Sequence, residues 1–126
     1  MFVDSHCHLD YPGLVEDEAA VVARAKAAGV GFMQTICTSL DRAAAVLALA
    51  ARHPEVSAAM GVHPHHAGEQ GVVEPGPLLE LAAHPKVTAI GETGLDYHYD
   101  KSPRPAQATS FRAHIEACRE SGLPLV

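Results

Sequence analysis

Phe2-Val3-Asp4-Ser5-His6-Cys7-His8-Leu9-Asp10 is the stretch on which the reading of this chain turns, because a short apolar start runs into two imidazoles separated by one residue. In an extended segment residues i and i+2 share a face, so His6 and His8 point together while Cys7 points away. Neutral imidazole is the commonest protein ligand for zinc and related divalent ions, and a strand end is a rigid place from which to present two of them. Taken alone, the pair also fits one packed and one solvated histidine at a strand terminus. Two further polar clusters at strand ends favour the metal reading: Gly61-Val62-His63-Pro64-His65-His66 and Gly91-Glu92-Thr93-Gly94-Leu95-Asp96.

Outward from that stretch, Phe2 to Ser5 reads as a first strand. Leu14, Val21, Ala25 and Ala28 then recur at helical spacing, acidic residues near the start complement the helix dipole, and Gly29 closes a helix over about 14–28. Gly31 to Cys37 is a second apolar strand. Thr38 to Asp41 supplies capping residues for a helix to about Arg52, which His53-Pro54 ends. Glu55 to Val62 reads as a third strand, Leu78 to Ala83 as a short helix and Lys86 to Ile90 as a fourth strand. Between about Pro105 and Ser121, Phe111, Ile115 and Cys118 mark one apolar helical face. Gly122 is its stop signal, and Leu123 to Val126 opens a fifth strand.

Strands alternating with helices at this spacing imply βαβ units, hence a parallel sheet with right-handed crossovers. Function in such α/β folds gathers at the carboxyl ends of strands, where all three polar clusters fall. An open doubly wound sheet fits the same alternation. A barrel is favoured, because ligands from the first, third and fourth strands then converge on one axis. A whole eight-fold barrel takes about 250 residues. The 126 residues here correspond to four βα units and the start of a fifth strand, in a single domain spanning 1–126.

The composition is 48% hydrophobic with a mean hydropathy of +0.05, as expected for a soluble globular chain with fully buried strands. A formal charge of -6 argues against a broad basic surface for nucleic acid, so any phosphate affinity must be local. Cys7, Cys37 and Cys118 are odd in number and lie on or beside apolar segments, which fits reduced thiols acting as small buried residues. No Cys-x-x-Cys occurs to ligate a structural zinc. No charged leader precedes a long apolar run and no run approaches membrane-spanning length, so a cytoplasmic protein with no membrane contact is expected.

Three motifs resemble the TatD family of metal-dependent deoxyribonucleases. Asp4-Ser5-His6-Cys7-His8-Leu9-Asp10 is similar to the family's opening signature, Gly61-Val62-His63-Pro64-His65 to its middle one, and Gly91-Glu92-Thr93-Gly94-Leu95-Asp96-Tyr97 to its bridging-glutamate motif. Gln107, Phe111, His114 and Ile115, followed by Gly122-Leu123-Pro124, resemble the stretch leading into the fifth strand. The resemblance implies a TIM-barrel (β/α)8 fold of the amidohydrolase-like, metal-dependent hydrolase type, of which this chain is the N-terminal half. It implies that His6 and His8 bind one divalent ion (Mg, Mn or Zn) and that Glu92 reaches one or two. In the family the fifth strand continues into another metal-binding histidine, and later strands bring a further histidine and an aspartate. Those positions are outside the 126 residues.

The activity so implied is phosphodiester hydrolysis of DNA, from an end, once the barrel is complete. An amidohydrolase-type deacylase acting on a C–N or ester bond is the alternative, since the same His-x-His start serves both. A third reading is a catalytically silent half-barrel that binds metal or self-associates through apolar strand edges and an open concave apolar face. Glu92 and His63 are the candidate catalytic residues, with His63 beside the site, supporting a ligand or contacting phosphate in preference to ligating metal directly. Asp4 and Asp96 either hold a ligand imidazole in one tautomer or cap the next helix. His65, His66 and His98 meet substrate or solvent, whereas His53, His84 and His114 read as structural or solvated. Lys101 and Arg104 follow the Glu92 motif on the same barrel face, where they meet a nucleic-acid backbone or form a solvated basic loop.

Overall fold

The computed structural model describes residues 1–126. Strands β1 (Phe2–Cys7), β2 (Val30–Ile36), β3 (Val56–Met60) and β4 (Val87–Ile90) form one parallel sheet in the order β1-β2-β3-β4. Helices α1 (Glu18–Ala27), α2 (Ala43–Arg52) and α3 (Pro75–Ala82) make the three crossovers, and α4 (Arg104–Ser121) follows β4. Short 3-10 turns, Val15–Asp17 and Leu40–Arg42, lead into α1 and α2.

Strand order and core placement decide between barrel and open sheet. Met33, Val56, Ala58, Met60 and Val87 pack with Val22, Val46 and Leu49 of α1 and α2. Val62 and Ile90 pack with Leu78, Ala113 and Ala117 of α3 and α4. The helices thus cover one face of a sheet whose order never reverses, whereas a doubly wound sheet needs a reversal and helices on both faces. This is an arc of a (β/α)8 barrel, and Leu125 bridges to Ile90 in parallel as the next strand begins.

The expected open apolar concave face is corrected. On that face Ile36, Ala59 and Ala89 are fully buried, with Val126 packed against them. The layer beneath is polar: Gln34 Nε2 donates to Thr88 Oγ1 at 2.9 Å, and the Thr88 hydroxyl donates to Ser57 Oγ at 2.9 Å. The outer edge of β4 is also occupied, since Ile90 N–H donates to Pro124 O and Val126 N–H to Ile90 O, each at 2.9 Å. Apolar exposure remains at the lower end, at Met1, Phe2, Val3 and Phe32, the last on the same face as Gln34 and Ile36. No helix is long and apolar enough to cross a membrane.

Several local expectations also shift. β1 runs on to Cys7, so His6 lies inside the strand rather than beyond it. Along α1 the buried residue is Val22, while Leu14 and Ala28 are exposed. The expected capping by Thr38 to Asp41 is absent, because Ser39 makes no side-chain cap bond and the Leu40 N–H goes to Gln70 Oε1 at 2.7 Å. α3 begins earlier than expected, at Pro75, a residue suited to a first helical turn. On α4 the buried face is Gln107, Ser110, Ala113, His114 and Ala117, not the Phe111, Ile115 and Cys118 face. The apolar pattern misleads there because the inward side chains of Gln107 and His114 find partners in backbone.

His114 is the clearest of these. Fully buried, it accepts the Val62 N–H on Nε2 at 2.9 Å and donates from Nδ1 to Ser110 O at 2.7 Å. It ties α4 to the residue preceding His63. Burial pushes its imidazole below the usual value, only partly offset by the Ser110 bond. The unfolded chain therefore binds the proton more readily, so this stabilisation is full above the unfolded value of about 6.5 and is lost as pH falls through the lower folded value. In acid titrations followed by circular dichroism, His114→Gln is expected to show a shallower loss of stability below pH 6.5 than the parent chain. An unchanged slope would mean that His114 does not take up a proton on unfolding.

Candidate metal centre

Three strand ends build the site. β1 brings His6 and, just past its end, His8, while β4 runs into Gly91 and Glu92. Gly91 has φ +142° and is joined to Glu92 by a cis peptide bond. A Cβ on Gly61, just past β3, would stand 2.6 Å from the Gly91 Cα and carbonyl carbon, so only glycine allows this approach. Gly91 N–H donates to Met60 O at 2.8 Å and Glu92 N–H to Cys37 O at 3.3 Å, which anchors the turn to β3 and to the residue after β2.

So held, the Glu92 carboxylate faces both ways. Its Oε2 lies 3.3 Å from His6 Nε2 and 3.7 Å from His8 Nε2, and its Oε1 lies 3.6 Å from His63 Nε2. His6, His8 and Glu92 each offer a ligand atom, all within 4.8 Å of one another, and no other His, Cys, Asp or Glu group of the chain does this. Ligands about 2 Å from a zinc-sized ion stand roughly 3 to 3.5 Å apart, so the donor set fits a divalent cation in both chemistry and spacing. The His8 ring stacks on Tyr11, with centroids 4.4 Å apart and planes 18° apart, while its Nδ1 is buried without a partner. Packing rather than a hydrogen bond therefore orients His8. The sequence reading missed Tyr11, because stacking three residues along a turn leaves no pattern in the chain.

His63 sits opposite the pair. Its Nδ1 accepts the His65 N–H at 3.0 Å, so in the neutral ring the proton is on Nε2, facing Glu92 Oε1. Burial lowers its pKa, with the Glu92 charge opposing and the His65 and His66 rings adding to the effect. A neutral Nε2–H is a hydrogen-bond donor, suited to a phosphate oxygen.

Behind His63, His65 Nε2 is closely paired with Asp96 Oδ2. Asp96 Oδ1 accepts the N–H groups of His98 and Tyr99, each at 3.1 Å, which steadies the 97–99 turn and not the start of α4, and the imidazole it holds is not one of the three clustered donors. Burial would raise the Asp96 carboxyl; the bonds from His65, Tyr99 and His98 outweigh it and hold the group below its ordinary value. Gln107 Oε1 accepts the Asp96 N–H at 2.7 Å, and Gln107 Nε2 donates to Asp96 O and Ser102 O. Ser102 Oγ donates to His65 O at 2.8 Å. The two loops are stitched together.

The remaining candidates are less central. Asp4 Oδ1 accepts the His6 N–H at 3.1 Å, so it steadies backbone and not a ring. His66 meets Glu69 at 3.2 Å, and His98 is exposed beside Tyr99. Arg104 donates to both oxygens of Asp100 and lies over the Tyr97 ring at 4.4 Å, while Lys101 is solvated. Cys7 points to the helix side and donates to Gln34 O; burial, then the Asp4 and Asp10 charges, push its thiol up to about 12, so it stays protonated.

Comparison with known proteins gives the family and the fold. The family described as TatD related DNase matches residues 3–126. The chain is 35% identical over 126 residues to "Uncharacterized metal-dependent hydrolase YabD" of Bacillus subtilis, covering 100% of this chain and 49% of that protein. It is 38% identical over 122 residues to "3'-5' ssDNA/RNA exonuclease TatD" of Enterobacter lignolyticus, covering 97% and 47%. The crystal structure of YjjV, a TatD homologue from Escherichia coli, superposes with a TM-score of 0.90 at 33% identity over 98% of this chain and 49% of that one. The chain spans about half the length of the curated relatives it matches.

Proposed function

The chain belongs to the TatD related DNase family, and from that premise we propose that its site serves the metal-dependent hydrolysis of phosphodiester bonds in DNA, releasing nucleotides from a strand end. The observation that carries this reading is the two-sided Glu92 carboxylate, one oxygen turned to His6 and His8 and the other to His63. End-directed cleavage is favoured by the relative named as a 3'-5' ssDNA/RNA exonuclease, and metal use by those named metal-dependent hydrolases.

His6, His8 and Glu92 would hold the cation. With two imidazoles among three donors, zinc suits the set better than magnesium or manganese, which favour oxygen ligands. A divalent ion bound there lowers the pKa of a water and offsets charge gathering on the phosphate. The protein's own contribution is orientation. Glu92 is fixed by the Gly61 and Gly91 contact, and the tautomer of His63 presents Nε2–H for a non-bridging phosphate oxygen. Asp96 and Gln107 keep the His65 loop, and through it His63, from turning away. Nucleic acid is the partner this reading requires, and the exposed apolar edge of β1 is the surface through which another chain or further strands would pair.

The test is a single-stranded oligodeoxynucleotide labelled at one end, incubated with the protein and Mn²⁺, Zn²⁺ or Mg²⁺. Stepwise shortening that a chelator stops is the expected result, with the 126-residue chain compared against any longer product of its reading frame. Turnover of an amide or carboxylic ester with no nucleotide released under any metal would replace this reading with a deacylase.

A further inference from the structure

Beside the metal centre, between the turn after β1 and the loops after β2 and β3, lies a cavity of about 740 Å³. Pockets for small molecules run from about 300 to 1,000 Å³, so one nucleotide unit fits. Its walls meet the centre twice: Tyr11 is stacked on His8, and His66 belongs to the His63 loop. Whatever enters it therefore lies next to the reacting phosphate.

The wall chemistry is specific. Asp10 lines the cavity with its side chain only 7% exposed, and a buried carboxylate ordinarily collects several donors. This one collects almost none: Oδ1 is shut off from solvent without a partner, and Oδ2, the acceptor left for a ligand, has only Arg42 at a long 3.4 Å. Arg42 is half exposed, with most of its guanidinium donors unused. Gln70 spends its carbonyl oxygen on Leu40 N–H, which leaves its amide N–H₂ to the cavity. Tyr11 has one ring face against His8 and is 43% exposed.

An under-satisfied acceptor, adjacent donors and an aromatic face match the edge and face of a nucleobase. A phosphate is disfavoured, because Asp10, Asp41 and Glu69 all line the space. A second cation is disfavoured too, since these carboxylates do not draw together as ligands. We propose that this cavity receives the base of the nucleotide adjoining the scissile phosphate, and that Asp10 selects bases carrying an exocyclic amine (cytosine, adenine or guanine) over thymine, which has none. Carboxylate to the amine of cytosine is an established pairing in nucleic-acid recognition, and a guanidinium or amide donor beside it serves the neighbouring ring acceptor. The proposal rests on the phosphodiesterase reading for its biological substrate, although not for its test.

That test uses free nucleosides on the metal-free 126-residue chain, so neither a phosphate nor the metal centre takes part. In ¹⁵N–¹H correlation spectra, deoxycytidine is expected to shift the amides of Tyr11, Ser39 and Gln70, and thymidine to bind about tenfold more weakly. Asp10→Asn, with unchanged circular dichroism, should remove that discrimination. Should this buried substitution unfold the chain, Arg42→Met on the exposed side of the pair is expected to weaken deoxycytidine binding. Equal shifts from thymidine, no shifts at these amides, discrimination surviving Asp10→Asn in a folded chain, or deoxycytidine binding unaffected by Arg42→Met would each overturn the proposal. Failure here leaves phosphodiester cleavage standing, and absence of cleavage leaves base binding standing.

Discussion

Replacing Glu92 with Gln is expected to lower divalent-metal affinity by at least about 100-fold, beyond the 10- to 100-fold that loss of an outer hydrogen-bond partner brings. Glu92 supplies the only negative charge among the three clustered donors, and both of its oxygens are committed to imidazole faces. Gln keeps the shape, so the backbone of the turn has no reason to move, yet an amide is a poor ligand and places an N–H₂ group against the histidines. Calorimetric titration of the folded chain with Zn²⁺ or Mn²⁺ reads the effect directly. Affinity unchanged by E92Q would show that the ion binds elsewhere and would remove the basis for the proposed centre.

Gly61→Ala is expected to be strongly destabilising, at about 2 to 3 kcal/mol of stability. The added methyl would lie 2.6 Å from Gly91 backbone atoms, which have no rotamer by which to escape. Relief must come from displacing the strand ends, and the displaced residue is Glu92. Urea unfolding should show a lower midpoint, and the metal titration a lower affinity in whatever fraction stays folded. Wild-type values in both measurements would mean that the close approach of β3 and β4 does not position the carboxylate. Gly76→Ala, in α3 with nothing within 4 Å of a Cβ, is the matched control.

The fold was legible because punctuation and periodicity agreed. Gly29, His53-Pro54 and Gly122 stand at helix ends, Gly122 with the left-handed conformation expected of a stop residue, and apolar runs separate them at βα spacing. Within the site, His6, His8 and Glu92 were legible since each lies at or beside a strand end. What escaped depends on contacts between distant segments. His114 carries no mark of reaching Val62, 52 residues away, and Gln107 looks solvated on an apolar scale although backbone groups receive it inside. The 32-residue separation of Asp10 and Arg42 hid the under-satisfied carboxylate in the same way.

The hydrogen-bonded row of Gln34, Thr88 and Ser57 bears on how accurately the centre is assembled. Parallel strands of mixed small apolar residues, such as Ala58, Ala59 and Ala89, give weak grounds for one alignment over its neighbours. A slip of one residue in β2 would turn Gln34 into the apolar layer beneath the helices and strand its amide without a partner. Each residue of slip also moves a strand end by about 3.3 Å, roughly the whole distance between Glu92 and His6. The row thus works as a vernier: by fixing the relative heights of β2, β3 and β4 at their middle, it excludes a one-residue slip in where His63 and Glu92 emerge at the top.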